Sequence, residues 1–540
     1  MSDSVTDTAP AAARPSPQRG PNGRQRLHDG LLALPDRIGL LLANPWTYRV
    51  ALLVFVLMGA FFAGILHYPI VDGQGHVPYG GTIAPDEHRH LANILYYAGL
   101  PLTNGPVLHH IDPGDLAMGE MLRFPSYFYY YVMSFPVKPM VNAELPYSWI
   151  VIALRLANVL FGLLGLVVLR RLLRTMGFST AVTVLSVIVL VLTGRYVWQS
   201  AAVSYDAPSM TLFLCCLLYC ARFIREPRWG TLGAMVVTAG WTVLVKYTFL
   251  PFVGVAAVVA VGFAVQRDGW GVLAHPLRAA GEAIRTRTVR TVAWFLGFAV
   301  VAALLVERLG VNLLVYRQFN PDCSKLHTHM QCLTFAIYAR NYDATRTHEL
   351  AAANGTSLPA PDLLEFTGRW VTTYFQSVFF YRDRTTVWSV DPLVAALGSL
   401  VVIAAVLLVV LSFRRFFGSR TAAWGTIVTV VYIGATFVFN LRTLLQLDDE
   451  YAFSGRYVLP VVPILYALLI AAAVAAWRRL PDWVRAGAVV PALVAVAVLL
   501  LVFSAPTAFF EYARTPNWYT DTALDHLPRW LTGYTGEVAP

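Results

Sequence analysis

What constrains this chain most is a rhythm. About eleven apolar stretches, each near the roughly 20 residues that a bilayer-spanning helix needs, follow one another with polar segments between them. Backbone crossing lipid must satisfy its own hydrogen bonds, which for stretches of this length means α-helix. Hydrophobic residues make up 57% of the 540 and charged residues only 13%, too little polar surface for a soluble globule of this size. The expected fold is an all-α polytopic membrane protein.

The polar segments sort by charge. Spans are read at about 50–66, 149–169, 181–197, 208–221, 231–245, 249–265, a seventh ending near 306, then 392–411, 422–439, 457–476 and 486–503. Basic clusters at Arg170, Arg171 and Arg174, at Arg222, Arg225 and Arg228, across 267–290, at Arg414 and Arg415, and at Arg478 and Arg479 fall on one side. The long loops 67–147 and 309–388, Asp206, the turn at Lys246 and Tyr247, and the run Asp448, Asp449 and Glu450 fall on the other. The positive-inside rule then places the N-terminus in the cytoplasm, and the expected location is the cell inner membrane. The formal charge of +10 follows from this distribution and points away from nucleic acid.

Residues 1–30, rich in Ser, Ala, Pro, Gly and Arg, read as a disordered cytoplasmic tail. The first apolar run starts too late and runs too long for a cleaved leader. Residues 31–42 suit an interfacial helix, 31–505 form the membrane domain, and 506–540 a short external tail. Three of the five cysteines, Cys215, Cys216 and Cys220, lie within a span as small buried thiols. Cys323 and Cys332 share a polar loop and suit a disulfide in an oxidising compartment, the alternative being a metal site with His327 and His329. Internal repeats, frequent in secondary transporters, are not evident.

Chemistry concentrates in the first external loop. Pro85 before Asp86 suits a helix start, and Asp86 and His90 share one face at a spacing of four. Leu91, Ile94 and Leu95 form an apolar stripe that rests on the bilayer or on neighbouring helices. Asp86 is either a helix cap with Glu87 as a first-turn acid, or a catalytic carboxylate, and the two roles are compatible. Inverting glycosyl transfer needs one carboxylate as general base on the acceptor hydroxyl, and cations for the departing phosphate. Lys246, Arg195 and Arg456 stand at the outer ends of spans, where each either snorkels or meets a lipid phosphate. Asp206 opens the fourth span as a cap, or as a partner for a donor sugar or a cation. The tyrosines from Tyr127 to Tyr131 suit an interfacial aromatic belt or a sugar platform. Glu307 is ambiguous. Asn354-Gly355-Thr356 fits a glycosylation sequon. No cofactor is implied, although the acidic run 448–450 offers hard oxygen ligands for a divalent cation.

The order of these motifs resembles the GT-C superfamily of polyprenyl-phosphate-sugar-dependent glycosyltransferases, such as protein O-mannosyltransferases and aminoarabinose transferases. The carriers are Pro85-Asp86-Glu87, the run Phe124-Pro125-Ser126-Tyr127-Phe128-Tyr129-Tyr130, Ser204-Tyr205-Asp206-Ala207-Pro208, Val245-Lys246-Tyr247, and Gly455-Arg456-Tyr457. The resemblance implies Asp86 as catalytic base, Glu87 as its partner in the acidic motif, and Lys246 and Arg456 as ligands of the carrier phosphate. Together with the site reading, His90, Asp206 and Tyr127 complete the expected substrate-binding set. Several members carry a sizeable soluble C-terminal domain, whereas this sequence has only 506–540 after the last span, so acceptor recognition is expected in the loop 309–388.

The leading expectation is therefore a glycosyltransferase moving a sugar from a polyprenyl-phosphate carrier to a glycan, lipid or protein acceptor at the extracytoplasmic face. A transporter or flippase of a lipid-linked saccharide is the alternative, requiring charges deep within the spans. A scaffold would need no particular external carboxylate.

Overall fold

A computed structural model describes residues 23–65, 86–101, 122–286, 289–356, 362–379, 392–447 and 453–505. Among them every regular element is a helix. In chain order these are α1 Gly23–Ala43, α2 Pro45–Ile65, α3 Glu87–Gly99, α4 Phe128–Asn142, α5 Tyr147–Met176, α6 Thr180–Leu192, α7 Gly194–Ala201, α8 Asp206–Arg225, α9 Trp229–Val245, and α10 Leu250–Asp268. They continue as α11 Gly271–Thr286, α12 Val289–Leu305, α13 His329–Cys332, α14 Ala336–Ala353, α15 Leu363–Phe379, α16 Pro392–Leu411, α17 Phe413–Phe416, α18 Arg420–Leu447, α19 Val462–Trp477, and α20 Asp482–Val502. The expected acidic run 448–450, most of the first tail and the last external tail lie outside the described residues.

All eleven apolar stretches contain helix. Seven are long and apolar enough to cross a bilayer, eight if α6 and α7 count as one broken span, and three are shorter apolar helices, Trp229–Val245, Ala396–Leu411 and Val462–Trp477. The count of eleven full spans therefore stays an expectation, while a multi-pass membrane protein is what the helices describe.

Two departures from the expected outline shape the site. The third span, read as continuous, bends by 64° between α6 and α7. Thr193 at the break is extended, and its hydroxyl binds back to the Val189 carbonyl at 2.8 Å and meets the Tyr466 hydroxyl at 3.0 Å. Gly194 follows because a Cβ there would sit 2.6 Å from the Phe379 carbonyl oxygen. The seventh span also continues, as π-helical turns Val306–Gly310 and Asn312–Tyr316, into what had been read as loop.

The main core runs through α2, α5, α6, α7, α8, α10, α18 and α19, with Trp198, Phe213, Trp424 and Ile464 fully covered. A smaller core lies beside it. There α3 packs on α4 through Leu91, Ile94 and Tyr97 against Tyr129, Tyr130, Met133 and Val137. The apolar stripe of α3 thus meets protein, and covering each of Leu91 and Ile94 is worth about 1.5–3 kcal/mol over leaving it exposed. Lys138 of α4 closes the other end of α3, donating to the carbonyls of Tyr97 at 3.0 Å, Ala98 at 3.1 Å, and Leu100. A cation at a helix C-terminus satisfies orphan carbonyls and the helix dipole together. The tyrosine-rich run is accordingly no simple belt: Tyr127, Tyr129 and Tyr130 are buried. Cys323 and Cys332 are joined as a disulfide, and no group of three or more His, Cys, Asp or Glu side chains among the described residues is arranged to hold a metal.

Candidate active site

Asp86 stands at the start of α3, yet its side chain caps nothing. Only its backbone carbonyl joins the helix, accepting from His90 N at 3.0 Å. The carboxylate turns away and takes a hydrogen bond from Arg456 Nη2 at 2.9 Å. Burial pushes this carboxyl up, but the Arg456 guanidinium, helped by His90 and Arg89, outweighs it and holds the group at about 2.

Arg456 comes from a single 3-10 turn, Gly455–Tyr457, leading into α19. That turn is pinned from behind. Gly455 N donates to Ser377 Oγ at 2.5 Å, and a Cβ on Gly455 would lie 2.7 Å from the Val378 nitrogen, so glycine is what lets the turn approach α15. Arg195 Nε donates to the Ser377 carbonyl at 2.8 Å. Arg195, expected as a phosphate ligand, is 1% exposed and braces the turn that presents Arg456. Arg456 also donates to the Tyr457 hydroxyl at 3.0 Å, while its Nε has no partner.

The second carboxylate, Asp206, opens α8 without capping it. Its Oδ1 pairs with Lys246 Nζ and its Oδ2 accepts from Gln199 Nε2 at 2.7 Å. Lys246, where α9 ends in extended backbone, is 8% exposed and boxed by the rings of Tyr205 at 5.0 Å, Tyr457 at 5.5 Å and Phe249 at 5.9 Å. Gln199 reaches Asp206 only because α7 breaks away from α6. Gln199, Asp206, Lys246 and Arg456 line one cavity, with Met210 and Pro460 among its apolar walls.

Glu87, expected as a catalytic partner of Asp86, is turned the other way. It is wholly covered and accepts from Arg155 Nε at 2.8 Å, from Arg155 Nη2 at 2.9 Å, and from Val203 N at 2.8 Å. Asn158, one turn further along α5, donates to the carbonyls of Ala202 at 2.6 Å and Ser204 at 3.0 Å. This junction ties the start of α3 to the turn before α8, fixing Asp86 and Asp206 in one frame. His90, 5% exposed, has Nδ1 2.9 Å from the Tyr130 hydroxyl and its ring edge-on to Tyr205 at 4.5 Å. Burial lowers its pKa to about 4, leaving a neutral ring at physiological pH. Tyr127 lies outside this cluster, fully covered, with the Arg308 guanidinium 4.2 Å over its ring and a hydroxyl without a partner. The ambiguous Glu307 pairs with Arg123 at 2.7 Å.

Six of the seven expected residues, Asp86, Glu87, His90, Asp206, Lys246 and Arg456, therefore share one neighbourhood, and Tyr127 does not. Missed were Arg155, Gln199, Asn158, Tyr205 and Ser377. Arg155 had a legible signal, since an ionisable residue inside an apolar span reads as functional by default. The others are ordinary polar residues: the partners of Asn158 and Ser377 are distant in sequence, and Gln199 meets Asp206 seven residues on only because the chain breaks between α6 and α7.

A family model described as dolichyl-phosphate-mannose-protein mannosyltransferase matches residues 119–314. This is the protein mannosyltransferase type that the order of motifs resembles, and the matched segment carries Tyr127, Asp206 and Lys246 but neither Asp86 nor Arg456. No curated protein matches the sequence. Among solved structures, similarity is found to ArnT from Cupriavidus metallidurans bound to undecaprenyl phosphate, at 15% identity and a TM-score of 0.38, covering 91% of this chain and 76% of that one. It is also found to the archaeal oligosaccharyltransferase AglB from Archaeoglobus fulgidus in complex with an inhibitory peptide and a dolichol-phosphate, at 12% identity and a TM-score of 0.40, covering 92% of this chain and 60% of that one.

Proposed function

We propose that this protein is a membrane glycosyltransferase that moves a sugar from a polyprenyl-phosphate carrier to a hydroxyl-bearing acceptor at the extracytoplasmic face of the inner membrane. The observation that carries the reading is the pairing of Asp86 with Arg456 beside a cavity that Lys246 and Asp206 also line. A base and two cations at one level meet the needs of inverting transfer from a phosphate leaving group.

In this reading the acceptor oxygen attacks the anomeric carbon, Asp86 takes the hydroxyl proton, and the bond from that carbon to the phosphate oxygen breaks with its electrons leaving on the carrier phosphate. Arg456 and Lys246 stabilise that charge. A phosphate drawing on Arg456 also loosens its hold on Asp86, so the carboxylate becomes a better base when the donor is bound. Asp206 and Gln199 orient Lys246, Glu87 positions the start of α3, and His90 packs with Tyr130 and Tyr205 beside them. Acceptor recognition rests on the segment 309–388.

The test is transfer from a polyprenyl-phosphate hexose by the full chain in proteoliposomes. Asp86→Asn should lower the rate by about 10²–10⁴-fold, the usual contribution of a general base, with an unchanged melting temperature. Undiminished transfer by both Asp86→Asn and Asp86→Ala would sink the proposal.

A further inference from the structure

A second pocket belongs to none of this chemistry. It lies at the far end of α8, where Arg222 follows Asp206 by 16 residues, about 24 Å along a helix axis. There Arg170, Arg171 and Arg174 of α5 and Arg222 of α8 converge on one opening, with Tyr48 of α2 in its wall.

Among the described residues none of these four guanidinium groups is paired with a carboxylate. Arg170 lies over the Tyr48 ring at 4.3 Å, Arg222 over Tyr219 at 5.4 Å, and Arg174 donates to the Phe178 carbonyl at 2.9 Å. Tyr48 is 6% exposed and sits directly against the Arg170 guanidinium. Arginines at span ends ordinarily spread outward towards headgroups. These come from two helices onto one pocket, with the buried Tyr48 in its wall and no carboxylate among its lining residues. Such an arrangement is complete only when an anion enters.

We propose that this pocket binds a phosphate group, held by the guanidinium forks of Arg171, Arg174 and Arg222 and by a hydrogen bond from the Tyr48 hydroxyl. Arginine is suited to this, because its planar fork meets two phosphate oxygens at once. The phosphate comes either from an anionic lipid headgroup of the adjacent leaflet or from solution, and the two sources are separable.

Full-length protein in a neutral detergent is titrated with phosphatidylglycerol, read by native mass spectrometry, and separately with inorganic phosphate, read by calorimetry. Diacylglycerol serves as the lipid without phosphate. Binding of phosphatidylglycerol alone supports the site with a lipid source, and binding of inorganic phosphate as well supports it with a soluble source sufficing. The Arg171→Gln, Arg222→Gln double variant should lose affinity about tenfold or more, as expected for removing charged hydrogen bonds. Arg478→Gln with Arg479→Gln, the same charge removed from another span end, should change nothing. Tyr48→Phe deletes only a hydroxyl and should lower affinity severalfold, which decides the matter if the double variant does not fold. Absence of binding in both arms, retention of diacylglycerol equal to that of phosphatidylglycerol, or equal losses at 478–479, overturns the proposal. None of these outcomes depends on whether sugar is transferred.

Discussion

Side chains one residue apart on a helix point about 100° apart, and at the start of α3 that angle separates two carboxylates. Asp86 faces Arg456, which lines the cavity, while Glu87 faces Arg155 in the interior. Their substitutions should differ accordingly. Glu87→Ala strands a buried guanidinium and should cost about 3–5 kcal/mol, seen as a lower melting temperature, with Glu87→Gln recovering part of it. A melting temperature unmoved by Glu87→Ala would contradict the buried pair. For Asp86 the expected signature is pH. With Arg456 present the carboxyl titrates at about 2, so it stays ionised through the neutral range and sets no acid limb there. Removing the cation in Arg456→Gln leaves burial dominant, and the acid limb of the residual transfer should move upward, above the ordinary carboxylate value of about 4. His90 adds a stability term of known sign. Its folded pKa of about 4 lies below the ordinary value, so stability is full above about pH 6.5 and falls as pH drops towards 4, because the unfolded chain takes the proton first. Melting scans of wild type against His90→Gln should show this slope flattened in the variant.

At the scale of elements, two features decide the site. The break between α6 and α7 carries no proline and sits inside an apolar run, so hydropathy reads straight through it; a tight approach to α15 produces it. Gly194→Val should push against the Phe379 carbonyl, cost about 1–3 kcal/mol as overpacking does, and slow transfer by displacing Gln199 from Asp206. A variant with unaltered melting and turnover would show that the break tolerates a side chain. The second feature is α4. Its buried residues Tyr130, Met133, Ser134 and Val137 follow the spacing of an amphipathic helix with one face on α3. That periodicity was readable, but a dense row of tyrosines reads first as an interfacial belt.

For the whole molecule, the alternation of basic and acidic segments makes an orientation that labelling can test. Thr356→Cys in the segment 309–388 should react with an impermeant thiol reagent in intact cells, and Ser419→Cys, beside the Arg414 and Arg415 cluster, only after the membrane is opened. The reverse pattern would put the carboxylates on the inner side and remove the proposed chemistry from its face.

Hydropathy and charge alone determined that this is a multi-pass helical membrane protein with helix in each apolar stretch, and with the order of its motifs they singled out Asp86, Asp206, Lys246 and Arg456 as the groups to watch. These follow from local physics: a peptide in lipid must be helical, and a charge at the end of an apolar run is conspicuous in one dimension. The tertiary structure alone decided which acid meets which base. Asp86 and Arg456 are 370 residues apart, and Glu87 and Arg155 are 68 apart. Whether a carboxylate pairs with a guanidinium that lines a cavity or is sealed against one in the interior depends on which side chains fold around it, and neighbours brought from that far along the chain leave no mark on the local sequence.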